Sequence, residues 1–367
     1  MENNKIGIIT YHFAANYGAV LQCYALNQCL KMQGFDSSVI NYITDKQSNN
    51  NSLYRSINHF ADLKKNLMLL PFHILRKRRM ERFNQFLESC LKINIDIRLK
   101  SLSELQSHIE QCEYKYVVSG SDQVWNPEIL DFDDAFFYPF NSKARKVGYA
   151  ISTGGAKVSS LVSFTEYIES FSQITVREKS TAEILHLITS KTLTEVCDPV
   201  FLLPKEQWIT LANQRVEHNY LLCYFIKTNE IDKKIDIAKE IAKKRNLKLI
   251  ILSARITKYN FLEKVYSDCG PKEFLSFFYN ADYICTDSFH GTAFSLIFNK
   301  QFVTLERKSE KNDGRKSGLL KNVGAQSRGQ FLDDKINDLC ELDYNKINKR
   351  ICQMRESSLS VLLSMLS

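Results

Sequence analysis

The stretch from Asn280 to Lys300, NADYICTDSFHGTAFSLIFNK, decides the fold. Tyr283 to Cys285 predicts a buried strand, Ser288 to Gly291 a tight loop, and Thr292 to Asn299 a mainly apolar helix. We call Ser288–Gly291 the elbow. A helix start that follows a strand offers backbone N–H groups to an anion. His290 in the elbow is therefore either an anion contact or general acid, or a loop residue that hydrogen-bonds to its own backbone.

The same alternation of strand and helix opens the chain. Lys5–Tyr11 predicts a strand, 18–33 a helix with Gly34 as its left-handed cap, and Ser38–Ile43 the next strand. No G-x-G-x-x-G motif follows the first strand, which disfavours NAD or FAD. The loop before the helix supplies three candidate ligand contacts, of which the glycine either lets the backbone approach a ligand or only makes a turn: Asn16, Tyr17 and Gly18.

Polar residues follow the strand predicted at Tyr114–Val118. In the sequence SGSDQVWN, Ser121 and Asp122 either cap a helix or face a ligand, and Asp122 is in addition a candidate base toward an acceptor. Trp125 lies just beyond this loop and either stacks on a sugar or packs in the core.

Two more strands are predicted at Lys146–Ala150 and Gln173–Val176. The second leads directly into Arg177 at a helix start. A guanidinium can bind a carboxylate or a phosphate through two parallel hydrogen bonds, so Arg177 is a candidate anion contact.

The chain divides near a proline-containing linker at residues 199–219, after which the pattern of strand, helix and strand returns. We predict an α/β fold with two Rossmann-like domains facing across a cleft. The N-terminal domain spans 1–205 with a helical insertion at about 50–112. A C-terminal, donor-binding domain spans 206–330, and 331–367 is a helical tail.

Composition limits the class of protein. At 367 residues and 44% hydrophobic content, the chain can bury two packed cores. Its ten cysteines form no C-x-x-C pair, so we expect reduced thiols and neither disulfides nor a metal site. The sequence starts without a signal-peptide pattern, and no apolar run approaches the roughly 20 residues that span a bilayer. These features predict a cytoplasmic protein.

One basic cluster stands out from the net charge of +8: HILRKRRMERF, residues His73–Phe83, directly after LMLLPF. It is either an ordinary exposed helix or a contact with anionic headgroups or polyphosphate, which would place the protein peripherally at the inner face of the membrane. Nucleic acid is not expected as a partner, because the aromatics do not alternate with arginines and no binding motif is present.

Four segments, in a fixed order from Lys5 to about Leu305, resemble one enzyme family: KIGIITYHFAANYGAVLQCYAL, VVSGSDQVWN, TVREKS and TDSFHGT. They resemble the polysaccharide pyruvyl transferases. The resemblance implies transfer of a pyruvate ketal from phosphoenolpyruvate to a sugar of a cell-surface polysaccharide such as a capsule, or to its lipid-linked precursor. It implies no further cofactor, and a fold similar to that of B-type glycosyltransferases.

The resemblance also assigns roles to residues. It implies that Arg177 and the segment Ser288, Phe289, His290 and Gly291 contact the donor, with His290 as proton donor or phosphate ligand. Many relatives have an arginine where this chain has Ser288, so one donor contact is expected elsewhere, at Arg307 or Arg315. Asp287 either orients His290 or caps the loop. Arg177 and His290 are expected to converge on one donor.

Two other functions fit the same sequence. A glycosyltransferase with a nucleotide-sugar donor would share the fold and the anion-binding elbow. A relative that binds glycans or phosphates without catalysis would keep the fold and lose the chemistry.

Overall fold

The structure, a computed structural model, describes residues 4–13, 15–54, 56–57, 60–212, 217–253, 264–308, 314–334 and 340–367. The chain folds as two units. The first contains Met1–Leu70, Asn84–Leu203 and Met354–Ser367, and the second contains Pro71–Phe83 and Pro204–Gln353. Residues 71–83 of the predicted insertion therefore belong to the second unit, and residues 354–367 of the predicted tail belong to the first.

Short apolar runs form the sheet of the first unit. Its described strands all pair in parallel, in the order β2-β1-β3-β4-β5-β6. Every residue of β3 is buried, as expected for a parallel sheet that helices cover on both faces. The strands are β1 (Lys5–Ile9), β2 (Asp36–Val39), β3 (Tyr116–Ser119), β4 (Arg145–Ile151), β5 (Gln173–Val176) and β6 (Leu193–Glu195).

Helices alternate with these strands. Asn16 caps the first one, and Gly34 follows its end with a φ of 85°, which confirms the predicted left-handed cap. The helices of this half of the chain are α1 (Tyr17–Met32), α2 (Asp45–Asn50), α3 (Phe60–Leu69), α4 (His73–Cys90), α5 (Leu102–Cys112), α6 (Val158–Leu161), α7 (Thr165–Glu169) and α8 (Lys179–Leu185).

The second unit repeats the plan with a different strand order. Its described strands are also parallel, in the order β12-β11-β10-β7-β8-β9. Its strands are β7 (Tyr220–Tyr224), β8 (Lys248–Leu252), β9 (Val265–Tyr266), β10 (Tyr283–Thr286), β11 (Gln301–Glu306) and β12 (Gly329–Phe331). The helices of the chain after α8 are α9 (Lys205–Leu211), α10 (Ile231–Lys244), α11 (Pro271–Asn280), α12 (Phe289–Ile297), α13 (Arg315–Val323) and α14 (Tyr344–Met365).

Each sheet has a switch point, where successive strands move to opposite sides of a central strand. It lies between β1 and β3 in the first unit, and between β7 and β10 in the second. Open α/β sheets bind ligands outside the carboxyl ends of their strands at this point. A ligand site is therefore expected at the residues that follow β1, β3, β7 and β10.

Trp125 belongs to the core of the first unit. It is completely buried, stacks on Phe137 with ring centroids 4.9 Å apart, and donates its indole N–H to the Phe136 carbonyl. Of the two interpretations of this residue, core packing is confirmed.

The basic cluster His73–Phe83 lies on α4 within the second unit, and Arg79 and Arg82 bind to other parts of that unit. Arg79 donates to the Ser253 carbonyl, and Arg82 donates to the Asp268 carbonyl and pairs with its carboxylate at 3.3 Å. Lys77 and Arg78 are exposed. The charge available to an anionic partner is thus smaller than the sequence suggests.

Candidate functional site

The elbow is the beginning of a helix and not a loop. α12 starts at Phe289, whereas the sequence predicted its start at Thr292. The reason is Ser288, whose Oγ accepts the Gly291 N–H at 3.2 Å, and serine is among the strongest N-cap residues. Phe289, His290 and Gly291 therefore form the first turn of α12, so the alternative of His290 as a loop residue is wrong.

Gly291 is required for packing. A Cβ atom at this position would lie 2.3 Å from Oγ1 of Thr286, the last residue of β10. That hydroxyl is itself occupied, since it donates to the Tyr224 carbonyl and accepts the Ser288 N–H. The glycine thus lets α12 begin directly against its own strand, which keeps His290 close to the carboxyl end of β10.

Asp287 links the two strands of the switch point in the second unit. Its carboxylate accepts the backbone N–H groups of Ile226 at 2.7 Å and Lys227 at 3.3 Å, just beyond β7. It also pairs with Nζ of Lys234 at 2.6 Å. These described contacts fix the carboxylate to the neighbouring strand end, which is a third role beside the two alternatives weighed from the sequence.

A second lysine lies on the backbone of the same segment. Nζ of Lys316 donates to the carbonyls of Asp287 at 3.1 Å and Leu305 at 3.3 Å, and lies 3.8 Å from the Glu306 carboxylate. Arg307, one of the two arginines considered as a substitute donor contact, pairs with Glu230 at 2.8 Å. Lys316 and Lys234 are both cations beside the elbow that the sequence analysis missed, because nothing in their local sequence distinguishes them from solvated lysines.

The switch point of the first unit is held by buried polar side chains. Thr10 donates to the Ser121 carbonyl at 2.9 Å, and Gln22 donates to Thr10 and accepts the Ser121 N–H. Gly120 has a φ of 122°, and a Cβ there would lie 2.1 Å from the Tyr149 carbonyl oxygen. Only glycine fits this close approach of β3 and β4.

No helix starts at Ser121 or Asp122, because bends, a bridge and turns occupy residues 121–131, so the alternative in which these two residues cap a helix is wrong. Asp122 instead has a left-handed φ of 73° and forms a bridge to Ile151 at the end of β4. Its carbonyl accepts the Ser152 N–H at 3.2 Å. Pairing with β4 takes the backbone away from a helical path, and a single sequence does not reveal this pairing.

Arg177 lies among three carboxylates. Its guanidinium is 2.8 Å from Asp198, 3.3 Å from Glu178 and 3.6 Å from Asp122. Burial disfavours the charged guanidinium, but Glu178, Asp198 and Asp122 outweigh burial, so the pKa of Arg177 lies above its ordinary value. The two residues predicted as donor contact and as base are thus neighbours in the first unit.

The three carboxylates are not equivalent. The side chains of Glu178 and Asp198 are 6% and 0% exposed, whereas that of Asp122 is 14% exposed. Glu178 accepts the hydroxyls of Ser152 and Thr181, and Asp198 accepts the Val200 N–H. Asp122 therefore presents the most accessible carboxylate of this cluster.

The remaining predicted acceptor residues mostly support the strand ends. Tyr17 and Ser121 are fully buried, and Gly18 lies in the first turn of α1. Asn16 is exposed, and its side chain accepts the Gly18 N–H at 3.0 Å as the N-cap. In this unit, Asn16 and Asp122 are thus the predicted residues with side-chain surface open to a ligand.

Comparison with known families shows the family to which the chain belongs. The sequence profile described as polysaccharide pyruvyl transferase matches residues 16–309 of the chain. The chain belongs to the polysaccharide pyruvyl transferase family. Comparison with curated proteins gives no match. The matched range of this pyruvyl transferase family member contains Asn16, Asp122, Arg177 and the elbow.

Solved structures with a similar fold include nucleotide-sugar epimerases. A putative UDP-N-acetylglucosamine 2-epimerase from Listeria monocytogenes is 13% identical, with a TM-score of 0.53 over 98% of this chain and 90% of that chain. MnaA of S. aureus, solved with UDP, is 10% identical, with a TM-score of 0.52 over 97% and 91%. UDP-GlcNAc 2-epimerase from Neisseria meningitidis is 12% identical, with a TM-score of 0.50 over 99% and 98%. These likenesses show the fold: two Rossmann-like domains, similar to B-type glycosyltransferases.

Two further features are absent from the described residues of this family member. These residues contain no cluster of three or more His, Cys, Asp or Glu side chains that could hold a metal ion. None of the helices among them is long and apolar enough to cross a membrane. Arg177 belongs to the first unit and the elbow to the second, and their convergence on one donor stays a prediction.

Proposed function

We propose that the protein transfers a pyruvate ketal from phosphoenolpyruvate to two hydroxyls of a sugar. A proton adds to the methylene carbon of the donor, and its neighbouring carbon becomes oxocarbenium-like. One sugar hydroxyl adds to that carbon, and a second displaces the phosphate and closes the ketal. One of the two hydroxyl protons balances the proton gained by the methylene carbon, and the other leaves with phosphate.

The observation that carries this proposal is the position of His290. It lies in the first turn of α12, directly after β10 at the switch point, within the range that matches the family. The positive end of a helix suits the phosphate and carboxylate of the donor. An imidazole at that end can donate a proton as negative charge moves to the leaving phosphate.

We assign the other roles unit by unit. In the second unit, the elbow residues Ser288, Phe289, His290 and Gly291 bind the donor, and His290 is its acid. In the first unit, Asp122 is the base toward an acceptor hydroxyl, beside Asn16, and Arg177 holds its carboxylate. A donor contact by Arg177 stays a prediction, and of its three carboxylate neighbours Asp122 is the most distant.

The family and the described residues support a reaction that needs no other cofactor. Each step above uses a proton donor, a proton acceptor and anion contacts, all of which this chain supplies. The acceptor must carry two suitably spaced hydroxyls to close the ketal, and we propose that it is a glycan or a lipid-linked sugar.

The test is turnover in D2O with phosphoenolpyruvate and a panel of saccharides and lipid-linked sugars. We expect acceptor-dependent release of inorganic phosphate, a product heavier by one pyruvate ketal, and deuterium in its methyl group. UDP-sugars are tested in parallel on the same panel. Release of UDP without use of phosphoenolpyruvate would overturn the proposal in favour of a glycosyltransferase. Tight saccharide binding without turnover of either donor would favour a non-catalytic relative.

A further inference from the structure

We propose that Lys234 is a positioning residue for the donor site: through its buried ion pair with Asp287 it fixes the elbow from which α12 starts. The inference deepens the function proposed above and rests on the elbow as the donor site. Lys234 lies on α10, a different helix from the elbow, and no feature of its sequence, KKIDIAKE, singles it out from its neighbours.

The ion pair is buried on both sides. The side chains of Lys234 and Asp287 are each 3% exposed, and Nζ lies 2.6 Å from Oδ2. Nζ also donates to the Lys227 carbonyl at 3.0 Å and lies 5.8 Å from the centre of the Phe225 ring. An ammonium group this well enclosed is retained only where its hydrogen-bond partners are fixed, because desolvating it is costly.

The pair ties together the two strands that flank the switch point. Lys234 and Asp287 both bind the segment after β7, through the Lys227 carbonyl and the backbone N–H groups of Ile226 and Lys227. Asp287 is the first residue after β10 and directly precedes the N-cap of α12. The position of the N-cap relative to β7 is therefore set by a side chain that Lys234 holds.

The backbone of Asp287 is fixed as well. Its carbonyl accepts a hydrogen bond from Lys316, which in turn bridges to the Leu305 carbonyl at the end of β11. The side chain of Asp287 thus binds toward β7 while its carbonyl is tied toward β11. An elbow anchored on both sides holds the first turn of α12 in one orientation, which is what an anion site made of backbone N–H groups requires.

Removing the ammonium would leave a buried carboxylate with backbone partners only. That carboxylate would turn toward water, and this change releases the N-cap from β7. We therefore expect Lys234→Met to loosen the elbow and to weaken donor binding and turnover together. The loss should be about 10- to 100-fold, the range typical of removing a group that orients a site residue.

The chain offers a matched control one residue away. Lys233 pairs with Asp333 at 2.7 Å, but the two side chains are 44% and 56% exposed. Lys233→Met removes the same charge from the same helix without touching the elbow. It should leave amide exchange at the elbow and phosphate binding within about twofold of the wild type, because exposed ion pairs contribute little.

The experiment measures two properties of the free protein. Amide hydrogen exchange of residues 286–292 reports the order of the elbow without any donor, and calorimetry with inorganic phosphate reports anion binding. Lys234→Met should raise the exchange rates and weaken phosphate binding, and Lys234→Arg should restore both in part. Exchange rates and phosphate affinity of Lys234→Met that equal those of Lys233→Met would overturn the proposal.

If Lys234→Met does not fold, the double variant Lys234→Met with Asp287→Asn removes both charges and avoids an unpaired one. It should still show faster exchange at the elbow, and unchanged exchange would count against the positioning role. The readouts separate this inference from the proposed reaction. If Lys234→Met shows faster exchange but the wild type does not use phosphoenolpyruvate, the proposed reaction is wrong and the positioning role still holds.

Discussion

The Arg177 guanidinium lies 3.6 Å from the carboxylate of Asp122, and each comes from the loop after a different strand of the first sheet. The sequence analysis predicted a donor anion as the partner of Arg177 and an acceptor hydroxyl as the partner of Asp122, but the two side chains lie next to each other. Because Glu178 and Asp198 also contact Arg177, the four groups together carry an excess of negative charge. This excess charge would repel an anion at the open side of the cluster, which fits the acceptor hydroxyl proposed there.

Arg177→Met should destabilise the first unit strongly. It would leave Glu178 and Asp198 buried without their cation, and breaking a buried pair on one side costs about 3–5 kcal/mol. Urea unfolding followed by circular dichroism measures the change. Arg98→Met is the control, because Arg98 pairs with the exposed Asp45 and its loss should cost at most about 1 kcal/mol. Equal losses in the two variants would contradict the structural role of Arg177.

His290→Asn should lower turnover while donor affinity changes little. Asparagine keeps a polar side chain in the first turn of α12 but cannot donate the proton, and loss of an acid–base group costs roughly 100-fold or more in rate. Steady-state kinetics with phosphoenolpyruvate separates kcat from KM. Near wild-type kcat with a confirmed donor and acceptor would remove His290 from the chemistry.

Gly291→Ala should displace the start of α12. The new methyl group would lie 2.3 Å from Thr286 Oγ1, and overpacking of this kind costs about 1–3 kcal/mol. Gly318→Ala on α13 should instead stabilise the protein, because nothing lies within 4 Å of its added methyl group and alanine favours a helix. Thermal unfolding of the two variants should shift in opposite directions, and a stabilising Gly291→Ala would contradict the close contact.

Stability should fall on acidification because of His12. The ring is fully buried, with Nδ1 3.0 Å from the Thr10 carbonyl and Nε2 2.9 Å from Asn41 Oδ1. Burial lowers the pKa of His12, although both hydrogen bonds oppose it. The unfolded chain then binds the proton more tightly, so stability is present above the unfolded pKa of about 6.5 and is lost below it.

The effect of one proton is at most about 1.4 kcal/mol per pH unit. His12→Gln should therefore flatten the dependence of the urea midpoint on pH below about 6.5, relative to the wild type. Parallel curves for the two proteins would show that His12 does not titrate between the folded and unfolded states.

Membrane contact through residues 73–83 stays a prediction, and the structure narrows it to the exposed cations Lys77 and Arg78. Replacing both by glutamine should weaken sedimentation with phosphatidylglycerol vesicles at low salt by about 1 kcal/mol per basic residue. Lys243 and Lys244, an exposed pair on α10, are the matched control. Equal sedimentation with phosphatidylcholine and phosphatidylglycerol vesicles would remove the contact.

Local sequence patterns predicted much of the fold. The bounds of β5 were predicted to the residue, and β10 begins at Tyr283 as predicted, because β-branched and aromatic runs between polar loops identify buried strands. The start of α12 was missed by three residues, although Ser288 is a recognisable N-cap and could have given it.

The contacts that shape the candidate site could not be predicted from local sequence patterns. Lys234 contacts Asp287 in the second unit, and Asp122 contacts Arg177 in the first. In each unit the order of the strands brings together residues that are far apart in the sequence. Lys234 has the same kind of sequence neighbours as Lys233, yet one is buried and the other exposed. A single sequence contains no record of such pairings, whereas it does contain caps and periodicity.

The division of α14 between the units bears on the order in which the protein is made. Its residues from 354 onward complete the first unit: Ser358 accepts the Cys197 N–H, Arg355 donates to Phe201, and Arg145 donates to Ser367. The residues that this C-terminal segment contacts, Arg145, Cys197 and Phe201, leave the ribosome long before the segment itself. The first unit therefore stays incomplete while residues 204–353 of the second unit are synthesised. A ribosome stalled after residue 340 should hold a nascent chain that proteases cut within its N-terminal half.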